Sequence, residues 1–135
     1  MAINYLAVVI ATLAGFGLGA VWYMVLGKAW MRAMGKTEAE LTPKSDAAKA
    51  MPFIIALLAL FVMAWMLAGV MAHMGQVSVR GGALAGFFVW LGFVITTMGV
   101  NHAFGGAKPM LTLIDGGHWL AVLVVMGAVI GAFGV

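Results

Sequence analysis

Six polar or ionisable side chains interrupt long apolar stretches of this chain: Asn4, His73, Asn101, His102, Asp115 and His118. Such groups are costly in hydrocarbon unless paired or wet, so they are the first places to look for chemistry. Asp115 and His118 stand three apart, on adjoining faces of a helix, where the carboxylate can orient the imidazole and lies near the positive helix end. With Asn101 or His102 added from a facing helix, the set makes a candidate polar pocket for a proton or a small ligand. The plainer alternative has Asp115 capping its helix or pairing with Lys108 or Lys28, and the histidines bonding to backbone carbonyls. Imidazoles at 102 and 118 are chemically able to hold a haem or a divalent ion between two helices, but one pair with no required spacing does not define such a site. The expectation is therefore no metal, no cofactor and no catalytic residue. His73 lies too far along the chain to join the others.

The elements that must carry these residues are membrane helices. Of 135 residues, 65% are hydrophobic and 8% charged, with mean hydropathy +1.14, well above the roughly 45–50% apolar content of a soluble domain. There is no cysteine, which excludes disulfides, iron–sulfur clusters, thiolate metal sites and dithiol relays. A net charge of +3 built from so few charges does not point to nucleic acid. A bilayer core of about 30 Å needs about 20 apolar residues, and four stretches qualify, at about 3–26, 51–74, 81–104 and 111–135. What remains is too short for a soluble domain, so residues 1–135 form one transmembrane domain: all-α, an integral membrane bundle of four transmembrane helices with a short amphipathic cytoplasmic connection. The first span has no basic leader and is followed by Lys28, and it reads as a retained helix.

Lys28, Arg32, Lys36, Lys44, Lys49 and Lys108 fall on one side of that topology and Arg80 alone on the other. The positive-inside bias makes the basic side cytoplasmic and puts both termini on the outer face of a bacterial inner membrane. The first helix is expected to run on through Trp30 and Arg32 as an interfacial segment and to stop at Gly35, with Trp22, Tyr23, Lys28 and Trp30 at the same boundary. Thr37 and Glu40 have capping-box spacing, and Thr42 before Pro43 predicts the start of the second long helix. Phe104-Gly105-Gly106-Ala107-Lys108-Pro109 predicts a tight hairpin between the last two spans.

Lipid is as apolar as leucine, so membrane helices associate through small residues that let backbones approach. Such residues recur at four-residue spacing: Ala11, Gly15 and Gly19; Gly82 and Gly86; Gly127 and Gly131. At 100° per residue, His118 and Gly127 point away from each other. If the His118 face looks inward, the face of Gly127 and Gly131 is left for another copy or another subunit. Gly86, Trp90, Phe93, Thr97, Asn101 and Phe104 form a continuous stripe expected to face protein. The twelve methionines read as adaptable packing.

Gly19-Ala20-Val21-Trp22-Tyr23, Gly27-Lys28-Ala29-Trp30-Met31, Trp90-Leu91-Gly92-Phe93, Asn101, Phe104, Lys108 and Leu113-Ile114-Asp115-Gly116-Gly117-His118 occur together in this order. Followed by Gly127 and Gly131, they resemble a bacterial four-helix membrane family catalogued as domain of unknown function 1761. The resemblance covers nearly the whole chain and implies four spans, with Trp22, Tyr23, Asn101 and Asp115 family-typical. The position of His118 is often tyrosine in that family, which speaks against a family-wide catalytic or metal-ligand role for it. The resemblance implies no activity.

Two functional classes follow. One is a non-enzymatic inner-membrane bundle, self-associating as a homo-oligomer or serving as an accessory subunit of a larger membrane complex. The other is a small transporter, or a binder of lipid, quinone or another small molecule, using the cytoplasmic-side polar pocket. Small proton-coupled exporters generally carry an acid near mid-membrane in the first span, and this chain has none there. An enzyme or redox carrier ranks behind both.

Overall fold

A computed structural model describes residues 2–135. Four helices are long and apolar enough to cross a membrane, Tyr5–Met34, Asp46–Met74, Val79–Phe104 and Pro109–Phe133, and the chain is a small multi-pass membrane protein. We label them α1 (Tyr5–Met34), α3 (Asp46–Met74), α4 (Val79–Val89) with α5 (Ile95–Phe104), and α6 (Pro109–Phe133). The one-turn helix α2 (Glu38–Leu41) sits in the long connection. A π-helical turn, Trp90–Val94, joins α4 to α5 without breaking the span.

The helix ends follow the local chemistry of the chain. Asn4, Ser45 and Ser78 cap α1, α3 and α4 by accepting the backbone N–H of Ala7, Ala48 and Gly81. Gly35 and Gly75 close α1 and α3 in the left-handed region, at φ +69° and +64°, where a side chain would be strained. Thr37 starts α2 as its spacing with Glu40 predicts, accepting the Glu40 N–H. Thr42, in contrast, closes α2 rather than opening α3. The start moves to Ser45 because its hydroxyl reaches the Ala48 N–H while Asp46 occupies the first turn. Pro52 is accommodated inside α3. At 1.5 Å per residue α1 is about 45 Å long, so its end beyond Lys28 overhangs the hydrocarbon.

Successive spans run antiparallel, which brings both chain ends to one end of the bundle. Asn4 marks this closure: its carboxamide nitrogen donates to the Phe133 carbonyl at 3.3 Å. We call this the termini end and the opposite one, which carries Lys28 to Lys49 and Lys108, the basic end. Helix α6 is the central element, packed along α1 on one flank and α4 on the other, with α3 laid against α1. The dry core lies in the termini half: Val8 and Ala11 of α1, Leu60 to Met71 of α3, Ala85 of α4, and Val122 to Ile130 of α6.

The closest joint is between α4 and α6. A Cβ on Gly82 would strike the Gly127 carbonyl, one on Gly86 the Leu123 carbonyl, and one on Gly131 the Ser78 carbonyl. Three backbone contacts, each four residues from the next, thus form an antiparallel seam that only glycine permits. This corrects the expectation that the Gly127 and Gly131 face is free for another copy: α4 of the same chain covers it. The α1 set packs on α6 as well, Gly15 against Met126 and Val122 and Gly19 against His118.

Gly82→Ala is therefore expected to push α4 off α6 and lower stability by about 1–3 kcal/mol. Gly17→Ala, whose Cβ meets nothing within 4 Å, should be neutral or stabilising by up to about 1 kcal/mol. Thermal unfolding in a mild detergent reads both; equal shifts for the two variants would contradict the seam.

Candidate functional site

Chemistry-bearing residues gather in the basic half, around the first turns of α6. There Asp115-Gly116-Gly117-His118 is gripped from both flanks by indole donors. Trp22 of α1 donates its Nε1–H to the Ile114 carbonyl at 3.1 Å, and Trp90 donates to the Gly116 carbonyl at 2.8 Å. Both acceptors lie within a helix, and each carbonyl has a second lone pair to offer. The two glycines make the approach possible. A Cβ on Gly117 would lie 3.0 Å from the Trp22 ring, and one on Gly116 2.6 Å from Ile95 Cδ1.

Asp115 finds its partner on α1. The Tyr23 hydroxyl donates to Asp115 Oδ1 at 2.6 Å, a short bond to a carboxylate in a half-buried setting. The expected pairing of Asp115 with His118 does not form. His118 instead turns toward α1, its Nε2 over Gly19 and its ring 5.0 Å from that of Tyr23, 6.5 Å from Trp22 and 4.6 Å from Trp119. It is 7% exposed, and its Nδ1 has no hydrogen-bond partner among the described residues. An unmet buried polar atom costs about 1–3 kcal/mol.

The remaining members of the expected pocket go elsewhere. His102 Nδ1 lies 2.7 Å from Thr112 Oγ1, bridging α5 to α6 on the other flank. Asn101 is exposed on the outer face of α5. Asp115 and His118 therefore face α1, His102 meets the other flank of α6 and Asn101 points outward, so His102 and His118 share no site. For the two α5 residues the physical cause is the π turn. In α-helical register, Gly82, Gly86 and Trp90 face α6, and the next inward position would be Phe93 or Val94. The extra residue moves it to Ile95, followed by Gly99 and His102. Phe93, Thr97, Asn101 and Phe104, expected on a protein-facing stripe, are turned outward. The Thr96 and Thr97 hydroxyls donate to the Gly92, Phe93 and Val94 carbonyls at this turn.

Two clefts flank α6 in this half. One, of about 650 Å³, opens between α1 and α3 where α3 from Met51 to Ala59 is largely exposed. Its walls include Phe16, Phe53, Leu60 and Trp119, and its polar groups include Tyr23, His118 and the indole N–H of Trp119. The other, of about 590 Å³, lies between α5 and α6 and includes Trp90, Gly99, His102 and Thr112. Both fall in the size range of small-molecule sites.

Trp22 and Tyr23, read from the sequence as an interfacial belt, point into the bundle; Trp30 meets Tyr23 edge-on at 5.6 Å, while Lys28 and Arg32 are exposed. Thr112 and the donor role of Trp90 escaped the sequence reading. The adjacent glycines at 116 and 117, out of place inside a helix unless something approaches closely, were the available signal. His73 Nδ1 bonds to the Gly69 carbonyl of its own helix at 2.9 Å, apart from the site.

If the Tyr23 to Asp115 bond holds α1 on α6, a double-mutant cycle of Tyr23→Phe and Asp115→Ala should show coupling of about 0.5–3 kcal/mol in detergent unfolding. Strict additivity would remove that bond from the account.

The sequence matches, over residues 6–131, the family described as Protein of unknown function (DUF1761). No curated protein and no solved structure matches the chain.

Proposed function

The chain belongs to the DUF1761 family, and from that premise and the geometry we propose that it is a non-enzymatic membrane bundle that binds a small, largely apolar molecule beside His118. The cleft between α1, α3 and α6 carries this reading: aromatic and aliphatic walls converge on a few polar groups, Tyr23 and His118 among them. A flat ring bearing one hydrogen-bonding group, as in a quinone, suits those walls. The unmet Nδ1 of His118 supports it further, because a buried nitrogen that the fold leaves without a partner is open to a hydrogen bond from a ligand beside it. The loss of the Gly127 face removes the main argument for self-association. One observation keeps an accessory-subunit role as the second reading: the outward face of α5 presents Asn101 beside Phe93 and Phe104.

Native mass spectrometry of gently solubilised protein tests the binding reading. The parent is expected to retain one defined extra mass that is not a phospholipid. Ala20→Leu, which fills the cleft from an exposed position, and His118→Ala should each reduce its retention at least about tenfold, the loss of about 1.4 kcal/mol. A bare parent, or variants that keep the mass, would refute it; a second protein in the spectrum would favour the subunit reading.

We also propose that the basic end faces the cytoplasm of an inner membrane, supported by six basic residues there against Arg80 at the termini end. The chain lacks cysteine, so single cysteines report directly. In intact cells, Val77→Cys should react with a membrane-impermeant maleimide and Lys44→Cys should not; the reverse pattern would invert the topology.

A further inference from the structure

The cleft between α5 and α6 is a different space from the His118 cleft and is made by a different device. Along the termini half, α4 and α6 touch backbone to backbone through Gly82, Gly86, Gly127 and Gly131. At Trp90 the seam stops. The indole fills the joint and donates to the Gly116 carbonyl, the π turn follows at once, and α5 continues at a distance from α6 bridged by His102 and Thr112. A π turn departs from the regular hydrogen bonding of the α-helix and is frequent at functional sites. Here its product is a groove whose walls include Ile95 and Leu120 and whose open flank is Gly99, where an added Cβ would meet nothing within 4 Å.

The shape and position of this groove select its occupant. From Trp90 to Ala103 it follows α5 for about 20 Å, starting deep in the span and ending at the basic end. One leaflet of hydrocarbon is about 15 Å deep, so the groove runs from the membrane boundary to the midplane, the path of a lipid acyl chain. At the rim, Ala107 and Pro109 line the mouth and Lys108 between them is exposed. At this end of the bundle as a whole, Lys28, Arg32, Lys36, Lys44, Lys49 and Lys108 outnumber Glu38, Glu40 and Asp46. The mouth therefore complements an anionic headgroup.

We propose that the α5–α6 groove is a binding site for one anionic phospholipid of the leaflet at the basic end, with an acyl chain along Gly99 and the headgroup at Lys108. The site is independent of the His118 cleft, and either can fail without the other.

The test is native mass spectrometry of the full chain released from bilayers holding equal amounts of phosphatidylglycerol and phosphatidylcholine. The parent should carry a single phosphatidylglycerol. Gly99→Leu, which fills the groove, should lose it while helical circular dichroism and thermal stability are kept. Ala103→Leu, at an exposed position nearer the mouth, gives the same reading if the first variant does not fold. Lys108→Gln should keep a lipid but lower the preference for phosphatidylglycerol about fivefold. His118→Ala should leave the lipid in place. Equal retention of the two lipids by the parent, a graded ladder of adducts typical of annular lipid, the absence of any phospholipid adduct, or a lipid-bound Gly99→Leu or Ala103→Leu would each overturn the proposal.

Discussion

Leucine gains little by leaving lipid for protein, so a chain of this composition cannot be held together by the force that folds a soluble bundle. What remains is close contact and hydrogen bonding, and the contact that dominates is the meeting of two helix backbones where Gly82 and Gly86 of α4 face Gly127 and Leu123 of α6. Everything else is arranged around that seam. It draws α6 into the centre, fixes the antiparallel register of the last hairpin, and leaves the other flank of α6 for α1. Of the large side chains of the core, Met71 reaches to Gly82 and Met126 to Gly15, filling space beside those glycines.

The seam also explains why the two halves of the bundle differ. A glycine-on-backbone contact cannot continue past Trp90, whose indole is too large for it and takes a hydrogen bond to Gly116 instead. The π turn then absorbs the offset, inserting one residue and rotating α5 so that Ile95 and His102 replace Phe93, Thr97 and Asn101 on the inner side. In the same half, α3 meets α1 through Phe53 on Phe16 and is otherwise largely exposed. The termini half is consequently dry and close-packed, while the basic half is polar, tryptophan-braced and open on both flanks of α6. Both proposed sites arise from that asymmetry, one beside each opening.

The bracing has its own logic. Asp115, Gly116, Gly117 and His118 look like an active-site run, yet three of the four serve docking: Asp115 accepts from Tyr23, and the glycines admit Trp22 and Ile95. Only His118 is left with an unmet buried atom. A buried group that the fold does not satisfy is a better guide to binding than a polar group in an unusual place, because the fold itself accounts for the second kind.

Much of the architecture is legible in the chain. Four apolar stretches of bilayer length, capping residues such as Thr37, terminating glycines at 35 and 75, and the Gly105 to Pro109 turn are local properties, decided by hydrogen bonding and backbone freedom within a few residues, and they hold wherever the helices end up. The small-residue sets likewise mark helix faces without reference to a partner. Which faces meet was not legible. Angular spacing on α6 shows that His118 and Gly127 look apart, but not that α4 rather than a second copy takes the glycine side. Nor can a regular 3.6-residue period anticipate one π turn, which nevertheless moves every later position of its span to a new neighbour. The pairing of Asp115 with Tyr23, residues 92 apart in sequence, and the parting of His102 from His118 are set by how whole helices pack, and only the tertiary structure decides that.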